Sequence, residues 1–305
     1  MIRYFIRRSR GEEFQAIASP PEGEVWIRGD HVDDADLQML SKTYTLDINI
    51  LRDVLDAHEL PRVEKKNDGT YVFVRTIQRD KHGRASTAPV LLAVRGSVFA
   101  TLSSRETPST ASTHQSVAQH LDDSVGLLLA TFVSILSDYE FLMQHTAQNI
   151  HDTGRRLRSH EVTNDDFIRF VTVEDNLNEY KMNLAAMLVV AERLRTEYGN
   201  GHTEAIDDIL LYIRQLLVAI ESYSQSVLSI RNAYGTIANN VLNMRMKTLT
   251  VLTVLIALPN VVYGMYGMNV GLPFQHEQWV YFVILLFSLA IVFLVFAIGR
   301  KRGIF

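Results

Sequence analysis

Apolar residues are unevenly placed along this 305-residue chain, and their spacing divides it into three stretches. Over residues 1–104, short runs rich in β-branched and aromatic side chains predict strands at 4–7, 24–28, 71–78, 90–94 and 98–102. Apolar positions three and four apart predict helices at 34–44 and 48–58, the second stopped by Pro61. Asp68-Gly69 marks a turn before the 71–78 strand. Residues 103–116 are dense in Ser and Thr and contain Pro108, which reads as a linker. The first domain is therefore expected at 1–104, with the linker at 105–116.

From there the pattern turns wholly helical. Segments 121–158 and 165–197 carry apolar residues at helical spacing, separated by polar breaks at 159–164 and 199–201. They place a helical region at 117–202. After Thr203 no proline occurs before Pro259, and only Gly235 weakens the run. A helix continuing over 203–268 would reach about 100 Å, and one so long needs partners along its length.

The third stretch is nearly pure hydrocarbon. Residues 248–268 and 279–299 each run without a charge, and each would span about 31 Å as a helix, the thickness of a bilayer core. Arg245 and Lys247 precede the first span, and Arg300, Lys301 and Arg302 follow the second. The 269–278 loop contains no Lys or Arg, only His276 and Glu277 as titratable groups. The positive-inside rule then puts both termini in the cytoplasm and the loop outside, with Trp279 and Tyr281 as interfacial anchors. The first 14 residues lack the apolar core of a secretory signal.

Composition excludes several function classes. The absence of cysteine removes thiol catalysis, disulfide scaffolds and cysteine-based zinc sites. A net charge of −4 gives no overall basic surface for nucleic acid. Neither a phosphate-binding glycine loop nor an HExxH zinc motif is present, and the pairs His114/His120 and His145/His151 are six apart, poorly placed to share a helix face. The acid pairs Glu12-Glu13 and Asp122-Asp123 read as solvated faces. No enzyme chemistry and no organic cofactor are indicated.

One face of the first span is different from the rest. Asn243, Met246, Leu249 or Thr250, Thr253, Ala257, Asn260 and Gly264 recur at helical spacing and mix amides, hydroxyls and small residues, whereas Leu252, Leu255 and Val262 are uniformly apolar. Small and hydroxyl-bearing residues suit ordinary packing between membrane helices. They also suit the lining of a pore, which two spans per chain can form only as a symmetric ring of subunits. Periodicity leaves both readings open.

At the outer end of that span stands Tyr266-Gly267-Met268-Asn269, followed by a short loop and a second span with a basic end. This arrangement resembles the CorA family of divalent-cation channels, whose hallmark is a Gly-Met-Asn triplet in that position. The wider stretch 259–273, with Pro273 shortly after the triplet, is similar to one subgroup. Leu51-Arg52-Asp53-Val54-Leu55-Asp56 and Leu60-Pro61-Arg62-Val63-Glu64 are similar to the family's cytoplasmic helix and turn, and residues 94–102 to its last sheet strand. The resemblance implies a fold class: an α+β cytoplasmic domain, a long-helix stalk and two transmembrane helices, assembled as a homopentameric funnel-shaped channel.

The resemblance further implies that Tyr266, Gly267, Met268 and Asn269 form the selectivity mouth, with Asn269 contributing a ring of carboxamides. Mg²⁺ dehydrates reluctantly, and amide oxygens can accept hydrogen bonds from its waters. Gly267 would keep a side chain from crowding the mouth. Asn243, Met246, Leu249, Thr253, Ala257, Asn260 and Gly264 would line the pore, with Met246 and Leu249 as a hydrophobic constriction. Ala257 and Asn260 depart from the bulkier residue and the Thr common in the family. Asp53 and Asp208, with Asp207 adjacent, would bind a regulatory cytoplasmic Mg²⁺ between neighbouring subunits. The implied partners are other copies of the chain, membrane lipids and divalent cations (Mg²⁺, with Co²⁺ and Ni²⁺), and the implied location is a cell inner membrane. Two alternatives stand beside this reading: a Zn²⁺ transporter of the same superfamily with proton coupling, and a membrane-anchored regulatory or scaffold protein that conducts nothing.

Overall fold

The computed structural model describes residues 1–6, 14–19, 23–79, 84–107, 123–158, 164–271, 274 and 276–301. It divides into two compact units, Met1–Arg231 and Asn232–Phe305.

The first unit is built on a seven-stranded sheet. Its strands are β1 (Ile2–Ile6), β2 (Gln15–Ile17), β3 (Val25–Asp30), β4 (Arg62–Lys66), β5 (Gly69–Arg79), β6 (Ala85–Arg95) and β7 (Val98–Ser103), in spatial order β2-β1-β3-β7-β6-β5-β4. All neighbours pair antiparallel except β3 with β7. Alternation along each strand sends successive side chains to opposite faces. Tyr71 and Phe73 join Ile27, Leu91 and Ala100 on one side, while Val72 and Val74 join Trp26, Leu92 and Phe99 on the other. Both faces are covered, which is why β5 and β6 read as continuous apolar runs.

The first face carries α1 (Asp34–Tyr44) and α2 (Ile48–Asp53) through Leu37, Leu40, Ile50 and Leu51. Each helix starts on an aspartate. Asp33 accepts from the Asp36 amide at 2.8 Å, and Asp47 accepts from the Asn49 and Ile50 amides at 3.0 and 3.4 Å. The expected 48–58 helix ends as α-helix at Asp53. Beyond it the amides of Val54, Leu55 and Asp56 reach back three residues to Leu51, Arg52 and Asp53, a tighter winding.

The opposite face packs against α3 (Ser124–Arg158) and the first part of α4 (Asn164–Tyr266). α4 turns at His202, the residue inside it with non-helical dihedrals (φ −132°, ψ 25°). The sequence puts this break at 199–201. Ion pairs Arg195–Asp207, Glu192–Arg214, Lys181–Glu221 and Glu174–Arg231 then join the two limbs from the turn outward, so they run antiparallel. α3 is long and apolar enough to cross a membrane, but 56% of its most apolar window is buried in this core, against 0% and 11% for the windows in α4 and α5. That window belongs to the core of the first unit.

The second unit holds the remainder of α4, a turn, and α5 (Trp279–Lys301). The expected spans 248–268 and 279–299 fall on these helices, the first ending at Tyr266 rather than Met268. Most of residues 105–116, the whole of 159–163, Pro273, Arg302, His114, His120, Asp122 and the Glu12-Glu13 pair lie outside the described residues.

Candidate pore-lining face, mouth and cytoplasmic carboxylates

In the second unit α5 runs back along α4 on a single side. Tyr263 and Ser288 meet through their hydroxyls at 2.9 Å. Val251 and Leu255 share a cleft with Val295, Ile298 and Gly299, and Tyr266 and Gly267 share one with Tyr281, Ile284 and Leu285. Val251, Leu255, Leu258, Pro259 and Val262 are accordingly the partly covered positions of the span. At about 100° per residue, Met246, Thr253, Ala257, Asn260 and Gly264 centre roughly 180° from that covered side, with Asn243 and Leu249 flanking them. All seven are exposed on the single chain. The amide, hydroxyl and small-residue stripe thus lies on the face that α5 leaves open.

The polar groups on this stripe divide into two kinds. Thr253 Oγ1 donates to the Leu249 carbonyl at 2.9 Å, as Thr250 Oγ1, which borders the cleft with α5, does to the Met246 carbonyl at 2.8 Å. The carboxamides of Asn243 and Asn260 make no hydrogen bond to any described residue. An unpaired amide taken from water costs about 1–3 kcal/mol in proteins, and acyl chains offer it nothing. Asn260, midway along an apolar span, therefore calls for water or another chain's polar groups on that side.

At the C-terminal end of α4 the Gly267 amide donates to the Tyr263 carbonyl at 3.0 Å and the Met268 amide to the Met265 carbonyl at 3.3 Å, closing the helix. Tyr266, Gly267, Met268 and Asn269 are all exposed. A Cβ placed on Gly267 would sit 3.4 Å from the Tyr263 carbonyl oxygen, an ordinary contact. The chain's own fold places no demand for glycine there, so any such demand comes from outside the single chain.

Asp53 and Asp208 sit in the first unit. Asp53 closes α2, which is tied to α1 by the Arg52–Asp34 pair at 2.6 Å; the Arg52 guanidinium holds the Asp34 carboxyl below its ordinary value. Buried Arg75 fixes the following segment by donating to the carbonyls of Glu59 (2.6 Å) and Ala57 (3.0 Å). Asp53 itself is paired with Arg62 at 2.6 Å. Asp208 is exposed on the second limb of α4, beside a groove lined by Leu129, Ala130, Val133, Ala205, Ile209 and Tyr212. Asp207 is held by Arg195 at 2.9 Å. Among the described residues of one chain no group of three or more His, Asp or Glu is arranged to hold a metal.

Two contacts escaped the sequence reading. Arg62 as partner of Asp53 left only a fragment of a signal: Glu59 precedes Arg62 by three and Glu64 follows it by two, but Asp53 stands nine residues back across a turn. The Tyr263–Ser288 bond had none.

The chain matches the family model described as CorA-like Mg²⁺ transporter protein over residues 21–301. It is 21% identical over 292 residues to the cobalt/magnesium transport protein CorA of Methanocaldococcus jannaschii, covering 92% of this chain and 90% of the relative. The fold is similar to the complete structure of the CorA magnesium transporter from that organism, with a TM-score of 0.87 at 18% identity, covering 100% of this chain and 99% of the other. It is similar also to the full-length CmaX protein (TM-score 0.73, 13% identity, 96% of each chain) and to the ZntB cytoplasmic domain from Vibrio parahaemolyticus RIMD 2210633 (TM-score 0.58, 8% identity, 78% of this chain and 98% of that one). The family match extends from the sheet to the end of the second apolar helix, and on that ground the chain belongs to the CorA-like Mg²⁺ transporter family.

Proposed function

We propose that five copies of this chain surround one aqueous path and conduct Mg²⁺, with Co²⁺ and Ni²⁺ as further cargo, across a cell inner membrane. The observation that carries this reading is the placing of α5: it covers one side of α4 and leaves the Asn243–Gly264 stripe open on the other. In a ring of copies the stripe faces the axis and α5 lies outside. Both termini are cytoplasmic, and Tyr266, Gly267, Met268 and Asn269 form the external mouth. Five Asn269 carboxamides there accept hydrogen bonds from the waters of a hydrated ion without the strong hold of a carboxylate ring. Asn260 makes a second polar ring. Met246 and Leu249, 55% and 58% exposed on the single chain, narrow the path and close it by dewetting.

On the cytoplasmic side, Asp53 of one copy and Asp208 of its neighbour together hold a Mg²⁺ that favours the closed ring. Asp208 is exposed and the Asp53 side chain is 42% exposed, and both offer the hard oxygen donors that a divalent ion takes. Occupancy shifts the population toward the state in which the two copies are drawn together.

Ion flux into proteoliposomes tests the reading. The wild-type chain is expected to carry Mg²⁺, and Asn269→Ala to lose most of that flux. A monomeric or dimeric state in lipid, or unaltered flux in the variant, overturns it. Competition between Mg²⁺ and Zn²⁺, with and without a pH gradient, separates this cargo from a proton-coupled Zn²⁺ alternative.

A further inference from the structure

Arg62 is paired with three carboxylates at once. Its three guanidinium nitrogens each meet a different carboxylate: Nη2 meets Asp53 at 2.6 Å, Nε meets Glu64 at 3.4 Å, and Nη1 meets Glu59. Its Cζ lies 4.4 Å from the centroid of the buried Phe73 ring, which fixes the plane of the fork from below. The backbone around it is pinned as well, since Arg75 holds the Glu59 carbonyl and Arg62 pairs with Phe73 in the β4–β5 ladder. The side chain is only one-third exposed, whereas Asp53 is 42% exposed. Both side chains are partly open to solvent, the carboxylate somewhat more than its counter-ion, and the counter-ion is the one tied to three partners and a ring.

We propose that Arg62 is a positioning residue that sets the Mg²⁺ concentration at which the cytoplasmic site fills. This rests on the reading of Asp53 as a regulatory ligand. A guanidinium stays charged at every physiological pH, so Asp53 is never a bare carboxylate in its own chain. A divalent ion arriving at Asp53 either displaces the Nη2 contact or shares the carboxylate with a positive neighbour, and both routes weaken binding. The fork does more than supply charge. With Glu59 and Glu64 holding its other nitrogens, Arg62 can release Asp53 without being left unpaired, so the exchange is reversible and leaves no stranded cation. The threshold is thereby raised above that of an isolated Asp53–Asp208 pair.

The test titrates Mg²⁺ against protease protection of the purified full-length protein in lipid, which reads the closed state independently of flux. Arg62→Gln removes the charge and is expected to lower the half-protecting Mg²⁺ concentration about tenfold, equivalent to about 1.4 kcal/mol. Arg62→Lys keeps the charge but not the fork, and is expected to fall between wild type and Arg62→Gln. Asp53→Asn is expected to raise the threshold, and adding Arg62→Gln to it is expected to change nothing further, as a double-mutant cycle requires of a residue acting through Asp53. If Asp53→Asn shifts the threshold and neither Arg62 variant does, the proposal for Arg62 fails and the regulatory reading of Asp53 survives. If Asp53→Asn leaves the threshold unchanged, both fail. Thermal unfolding without Mg²⁺ identifies a variant that has merely lost its fold, and in that case Arg62→Lys alone decides.

Discussion

The hydroxyl of Tyr263 and that of Ser288 lie 2.9 Å apart, joining the two apolar helices of the second unit side to side. Ser288 is 2% exposed and also donates to the Leu285 carbonyl at 2.8 Å, so Tyr263 is the natural donor to it. This bond fixes the rotation of α4 beneath α5 and hence the direction in which Asn260 and Gly264 point. Hydrogen bonds of this kind between membrane helices are worth about 0.6–2 kcal/mol. Ser288→Ala and Tyr263→Phe are each expected to destabilise the lipid-reconstituted protein by that order, with less Mg²⁺ flux per correctly assembled particle. Thermal unfolding in detergent and flux in proteoliposomes check the two effects separately.

Asn260→Leu gives the cleanest test of the open stripe. The substitution removes an amide that has no partner among the described residues, so the chain's own stability is expected to hold or rise by about 1 kcal/mol. Mg²⁺ flux is expected to fall more than tenfold, because an apolar ring replaces a polar one. A variant that conducts normally would place the stripe against lipid or protein rather than water.

Replacing Asp53 and Asp208 together with Ala is expected to yield transport that cytoplasmic Mg²⁺ no longer inhibits. Inhibition retained at the wild-type concentration would remove both residues from the regulatory site.

The start of α2 predicts a pH dependence. Lys66 at 3.0 Å, helped by the Asn49 and Ile50 amides, holds the Asp47 carboxyl below its ordinary value. A carboxylate whose folded pKa is depressed adds stability above its unfolded value of about 3.9, and that increment is lost as pH falls through the folded value. The first unit is therefore expected to weaken below about pH 4, and Asp47→Ala to abolish this part of the loss. At neutral pH Asp47→Ala is expected to cost about 1 kcal/mol as a lost cap. Thermal unfolding across pH 3–7 reads both.

Gly29 in β3 offers a packing test far from the membrane. A Cβ there would lie 2.6 Å from Val32 Cγ1 and 2.8 Å from Leu102 Cδ2, both buried. Gly29→Ala is expected to destabilise the first unit by about 1–3 kcal/mol, visible as a lower unfolding midpoint.

The strands hidden from the sequence reading share one position: β2 and β4 are the two edges of the sheet. An edge strand is selected for charge and brevity rather than for apolar alternation, and Arg62-Val63-Glu64-Lys65-Lys66 shows why no pattern announced it. The central strands were legible because both their faces are buried, although β6 starts at Ala85, five residues before its apolar run. The stripe on α4 was legible through spacing of three and four. What spacing could not supply was the side on which α5 packs, because that depends on contacts between segments more than twenty residues apart. Arg62 as partner of Asp53 was hidden for a similar reason: the two are brought together by a turn that Arg75 holds from a neighbouring strand.

Thr253, on the face that α5 leaves open, has committed its single hydroxyl proton to a carbonyl one turn back on α4. Where the proposed path runs beside it, what remains on offer is lone pairs. The water shell of a cation points its hydrogens outward and finds acceptors on such a wall, whereas the shell of an anion points its oxygens outward and finds no hydroxyl donor. An uncharged side chain on the proposed path would thereby favour one sign of ion over the other.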